Sequence, residues 1–114
     1  MKRGEVYLAS FPCGDVPGMK LRPVLLLTEP TGPNAEVLVA YISSVVPSNL
    51  LPSDIILDPN LREHQQTNLK TVSVLRLHKL ATIHTTSIRR YLGKISETTQ
   101  DEVNAKLSAF LKLR

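Results

Sequence analysis

The chain has 114 residues, 42% apolar and 21% charged, with 14 Lys and Arg against 10 Asp and Glu for a net charge of +4. That length holds a single core without an independent second module, and the ordinary apolar content argues against a disordered tract, so one domain over residues 1–114 is expected to carry the whole function. A single cysteine, Cys13, excludes an internal disulfide, no leader pattern is evident, and the apolar runs fall far short of the roughly 20 residues a membrane helix needs. A cytoplasmic protein with no membrane span is the expectation.

In chain order, Val6 to Phe11 forms a first strand and Pro12 to Lys20, with Gly14, Pro17 and Gly18, a mobile loop. Arg22 to Thr28 and Glu36 to Ser44 are the second and third strands, joined as a hairpin across Glu29 to Ala35. Pro47, Pro52 and the intervening serines make a loop, and Asp54 to Asp58 is a short strand. Leu61 to Lys70 is loop or one helical turn. Thr71 to Leu77 and Leu80 to Ile83 are two further strands, Thr85 to Arg90 one helical turn, and Tyr91 to Ile95 the last strand. Ser96 or Thr99 caps a final helix, Thr99 and Glu102 matching a capping box. Val103, Leu107, Phe110 and Leu111 give that helix one stripe to lay on the sheet. Short strands closed by one helix predict a mainly β (α+β) fold, a strongly bent sheet or small barrel.

The positive charge favours nucleic acid or an acidic protein as partner. The five aromatic residues, Tyr7, Phe11, Tyr41, Tyr91 and Phe110, are too few for a broad base-stacking platform. Phosphate contacts and groove shape should dominate any RNA binding. If the second hairpin turns about Gly32-Pro33, Thr28 faces Val37 and Arg22 faces Ser43, so a guanidinium and a hydroxyl converge at one end of the sheet. The alternative is an ion pair from Arg22 to Asp15 or Glu5. On the later strand Arg76 and His78 share a face with Val72 and Val74 and suit a cleft wall.

Two segments, Arg3-Gly4-Glu5-Val6-Tyr7 and Lys20-Leu21-Arg22-Pro23-Val24-Leu25-Leu26-Leu27, resemble the start of the MazF/PemK family of toxin endoribonucleases. Val39-Ala40-Tyr41-Ile42-Ser43, Ser73-Val74-Leu75-Arg76, Leu80-Ala81-Thr82-Ile83 and Leu92-Gly93-Lys94-Ile95 continue the likeness over nearly the whole chain. The resemblance implies an SH3-like barrel shared with the CcdB gyrase poisons, a homodimer, cleavage of single-stranded RNA without metal or cofactor, and silencing by a cognate antitoxin. Arg22 matches the arginine of the family's R-P pair. Ser43 stands where many members have threonine, and His78 where some carry an acid two residues after an arginine. Met19-Lys20 replaces a Glu-Gln pair of the first loop.

Cleavage without a metal needs a base for the 2′-OH proton, a cation for the phosphorane and an acid for the 5′-oxygen. Arginine suits the second task, staying protonated and offering a planar fork to phosphate oxygens. The expected catalytic residues are therefore Arg22, Ser43, Arg76 and His78, with Lys20, Arg22, Ser44 and Arg76 holding RNA. No metal site is expected, because His78 and His84 match no common ligand spacing. His64 is expected in solvent and Cys13 to be an ordinary thiol. A gyrase poison on the same fold and an inactive RNA-binding relative are the competing readings, the first weakened by an ending, Leu111-Lys112-Leu113-Arg114, that lacks an aromatic residue.

Overall fold

The computed structural model describes residues 1–12 and 19–113, so the expected first loop and Cys13 lie outside the described residues. Six strands form one antiparallel sheet: β1 Glu5–Pro12, β2 Met19–Leu26, β3 Glu36–Ser43, β4 Asp54–Leu57, β5 Ser73–His84 and β6 Ile88–Lys94, in the spatial order β4-β5-β3-β2-β1-β6. The sheet does not close, leaving β4 and β6 as its edges. The helix α1, Glu97–Phe110, packs on one side.

Both faces of the sheet bury apolar side chains. Val6, Leu25, Ala40, Ile42, Leu75 and Leu77 join Val103 of α1 in one cluster, while Ala9, Phe11, Val24, Leu26, Val37, Val39 and Ile83 form a second on the opposite face. The alternation of β2 explains the split, since Val24 and Leu26 point one way and Leu25 the other. Strands buried on both faces read as continuous apolar runs, which is how Val24 to Leu27 appears in the sequence.

Several local expectations are corrected. Thr71 to Leu77 and Leu80 to Ile83 are one strand, β5, because no Gly or Pro interrupts them; a register offset absorbs the irregularity instead. Thr85–Ser87 is a single 3₁₀ turn and β6 already begins at Ile88. Ser96 alone is the N-cap of α1, its Oγ accepting from the Thr99 N–H at 3.1 Å, so the Thr99-Glu102 box is not used. Val103 of the helical stripe is fully buried, but Phe110 and Leu111 are 46% and 49% exposed. The last turn faces Leu51 and Pro52 across a cleft of about 390 Å³ rather than the sheet.

The segment expected as loop or one turn is a 3₁₀ helix, Arg62–Thr67, packed against β6. His64, expected in solvent, is 4% exposed within it, Nε2 lying 3.1 Å from Glu63 Oε1. Two backbone features allow this packing. Asn68 ends the segment in the left-handed conformation (φ 56°) and its Nδ2 donates to the Leu92 carbonyl at 2.7 Å. Gly93 lies so close that a Cβ there would stand 1.9 Å from the Gln66 carbonyl oxygen.

Candidate functional site

The paired part of β2 and β3 has the expected register, although the turn itself is offset from Gly32-Pro33, Thr31 bridging Glu36. Val24 pairs with Tyr41, Leu25 with Ala40 and Leu26 with Val39, and continuing that alignment brings Arg22 level with Ser43. On its other side Arg22 pairs with Ala9 of β1. Directly paired residues in antiparallel strands share a face, so Arg22 projects on the side of Ala9, Phe11, Val24 and Tyr41.

A cation in that position calls for an anion. The Arg22 Nε is buried with no hydrogen-bond partner, and the described residues offer the guanidinium no carboxylate. Glu5, one of the two acids considered for it, is engaged elsewhere: its Oε1 accepts from the Lys2 N–H at 2.6 Å and from the Tyr7 hydroxyl at 3.0 Å. Burial, followed by that hydrogen bond, pushes the Tyr7 hydroxyl pKa up to about 12. Asp15 lies outside the described residues. Ser43 Oγ accepts from the Val45 N–H at 3.1 Å and donates to the Val45 carbonyl at 3.3 Å, holding the hydroxyl at the strand end.

Next along the same face stand Tyr41, Arg76 and Asp54, paired in a row across β3, β5 and β4. Tyr41 lies one same-face position, about 7 Å, from Ser43. Arg76 and Asp54 form a two-pronged ion pair, Nε to Oδ1 at 3.1 Å and Nη2 to Oδ2 at 3.3 Å, with the carboxylate wholly shielded from solvent. Oδ2 also accepts from the Leu51 N–H at 2.8 Å, and the Asp54 carbonyl accepts from Lys106 Nζ of α1 at 2.9 Å.

His78 enters through the register offset of β5. Tyr41 pairs with Arg76 but Ala40 pairs with Leu80, so Leu77, His78 and Lys79 have no partner on β3. Such irregularities re-aim side chains. Lys79 Nζ sits 5.5 Å from the Tyr41 ring centre, and Tyr41 also stacks on Phe11 with centroids 5.1 Å apart. His78 Nδ1 is buried without a hydrogen-bond partner, 4.0 Å from Asp54 Oδ1. Burial, followed by Arg76 nearby, holds the imidazole below its ordinary 6.5, against an opposing pull from Asp54.

Arg22, Ser43, Arg76 and His78 thus share one face of the sheet. Lys20, exposed and paired with Phe11, lies on that face one position beyond Arg22. Ser44 does not join them: it lines a separate cavity of about 260 Å³ with Pro23, Ser73, Lys70 and Arg90. Asp54 and Tyr41 carry the site's internal contacts, and sequence reading assigned neither a role. Asp54 heads a recognisable strand, but its partner is 22 residues away, and only the β4–β5 pairing reveals it. Among the described residues no three His, Cys, Asp or Glu side chains group as metal ligands, and no helix is long and apolar enough to cross a membrane.

Residues 2–111 match the family model of the PemK-like, MazF-like toxins of type II toxin-antitoxin systems. No curated protein matches the chain. Among solved structures it is similar to the Mycobacterium tuberculosis toxin MazF-mt6, with a TM-score of 0.73 at 20% identity over 95% of this chain and 96% of that one. It is also similar to MazF in a MazE-MazF structure from Deinococcus radiodurans, with a TM-score of 0.73 at 18% identity over 100% and 97% of the two chains. A mycobacterial endoribonuclease in complex with its cognate antitoxin gives 0.69 at 17% identity, again over 100% and 97%. At these identities the structural likeness establishes the fold, a bent antiparallel sheet with a C-terminal helix.

Proposed function

The chain belongs to the PemK-like, MazF-like toxins of type II toxin-antitoxin systems, and we propose on that footing that it is a metal-independent, sequence-specific endoribonuclease cutting single-stranded RNA to 2′,3′-cyclic phosphate and 5′-hydroxyl ends. The observation that carries the reading is Arg22, a cation whose buried Nε has no partner among the described residues, on the face of the sheet that also carries Ser43, Arg76 and His78. A phosphodiester supplies the anion that this guanidinium lacks.

In this mechanism the 2′-oxygen attacks phosphorus, the bond to the 5′-oxygen breaks, and the 2′-OH proton ends on that leaving oxygen. Arg22 stabilises the charge of the phosphorane and Ser43 donates a hydrogen bond to a non-bridging oxygen. His78 moves the proton. Its lowered proton affinity leaves it neutral near pH 7, the state a base needs. Arg76, with Lys20, holds flanking phosphates. The protein acts as a homodimer whose RNA groove spans both chains, and a cognate antitoxin, meeting the cationic face with acidic side chains, silences it.

Incubating the purified protein with mixed single-stranded RNA in EDTA and characterising the ends tests the proposal. Cyclic-phosphate cleavage that persists in EDTA supports it. Binding without cleavage leaves an inactive RNA-binding relative, and gyrase trapping without RNA binding leaves a gyrase poison. Light scattering at micromolar concentration tests the dimer.

A further inference from the structure

The arrangement around Asp54 extends past the reacting pair. We propose that Asp54 is a positioning residue of this face: its buried carboxylate locks the plane of the Arg76 guanidinium and selects the Nδ1–H tautomer of His78, leaving Nε2 to take the proton. The catalytic part of this inference rests on the endoribonuclease reading; the tautomer itself does not.

Three elements hold the carboxylate still. Arg76 of β5 grips both oxygens at 3.1 and 3.3 Å, the Leu51 N–H donates to Oδ2 at 2.8 Å, and Lys106 of α1 fixes the Asp54 carbonyl at 2.9 Å. A two-pronged pair with a guanidinium fixes that group in plane as well as place. Arg76 is thereby presented in one orientation instead of sampling its many rotamers.

The same carboxylate faces the imidazole. Oδ1 lies 4.0 Å from His78 Nδ1, an atom buried without a partner although the side chain is 26% exposed, so the exposure falls on the rest of the ring. A lone pair on Nδ1 would face a negative oxygen across a poorly solvated gap. A proton there faces it favourably, and a small ring rotation closes the gap to hydrogen-bonding distance. Nδ1–H is thus the favoured tautomer, with the lone pair on Nε2. His78 is placed to make that rotation because its segment of β5 has no β3 partner.

The charges facing His78 act in opposite directions. Arg76 and Lys79 on β5 oppose the imidazolium, and Asp54 on β4 favours it. Lys106 of α1 bonds the Asp54 carbonyl and is paired with Glu102 at 3.1 Å. Asp54 is the counter-charge that opposes burial, Arg76 and Lys79 at His78.

Nitrogen-15 NMR of the histidine rings in the free protein, titrated with pH, tests this without RNA. The wild type should show His78 Nδ1 protonated and Nε2 unprotonated in the neutral ring. In Asp54→Asn the tautomer preference should weaken and the titration midpoint should fall by about one pH unit, as expected for loss of an opposite charge at this range. Arg76→Gln should move the midpoint the other way, above that of the wild type, because it removes a cation and releases the carboxylate. An unprotonated Nδ1 in the wild type, or an unchanged or raised midpoint in Asp54→Asn, overturns the proposal. If Asp54→Asn does not fold, an Arg76→Gln midpoint no higher than that of the wild type overturns it. These results hold whether or not the protein cleaves RNA; where it does, the acid limb of cleavage should follow the NMR midpoint in each variant.

Discussion

Two arginines on one face of the sheet are held in opposite ways. Arg76 is satisfied by a wholly buried carboxylate at 3.1 and 3.3 Å, whereas the Nε of Arg22 is buried with no partner. A buried polar group without a partner costs stability, so a chain retains one where something outside the fold will satisfy it. The pair of arginines therefore sets a cation fixed by the fold beside one left for a ligand to satisfy, and breaking each should have different consequences.

Breaking the satisfied pair should have the largest effect. Asp54→Ala strands the Arg76 guanidinium and the Leu51 N–H, and is expected to cost about 3–5 kcal/mol in urea unfolding. Arg22→Ala should leave folding intact while lowering cleavage by about 10²-fold, or about 2.7 kcal/mol of transition-state stabilisation, with Arg22→Lys recovering only part because a point charge lacks the fork. Arg22→Met sharpens the contrast: unfolding should show it about 0.5–1 kcal/mol more stable than wild type, since an unpartnered polar group is replaced by an apolar one. Equal stability losses at both arginines would dissolve the distinction. Ser43→Ala, removing one neutral hydrogen bond to the phosphate, should reduce cleavage by about tenfold with no change in unfolding midpoint.

The smallest effect is a pH slope. Burial and Arg76 depress proton binding by folded His78, so as pH falls through the ordinary 6.5 the unfolded chain takes up a proton that the native state resists. Stability should decline from there until the folded group itself titrates, then level off. Unfolding at about pH 7.5 and 5.5 should show this drop in wild type and a smaller one in His78→Asn. Identical differences in the two proteins would assign the slope to other groups.

How much of this was legible beforehand depended on distance along the chain. The turn residues and the apolar run of β2 made the hairpin and the pairing of Val24, Leu25 and Leu26 legible, because these are local signals, although the turn itself is closed two residues off that register by Thr31 and Glu36. The Asp54–Arg76 pair was hidden because it exists only once β4 lies beside β5. The offset around His78 was mistaken for a break between strands, since an irregular register has no side-chain signature when Gly and Pro are absent. His64 was misplaced for a related reason: a polar run such as Glu63-His64-Gln65-Gln66 looks solvated until β6, through the space at Gly93, draws it inward.

The place of β1 in the sheet also governs when a new chain becomes a working protein. It pairs with β2 early in the sequence but also with β6 near the end, Val6 opposite Leu25 on one side and Gly93 on the other. The second pairing closes almost the entire chain as a loop, an entropic cost that non-local strands meet late in folding. The strands bearing Arg22, Ser43 and Arg76 all emerge from the ribosome before β6 and α1, yet the cluster beneath them is incomplete without Ile95 and Val103. A nascent chain thus carries Arg22, Ser43 and Arg76 before it has the core that holds them in register.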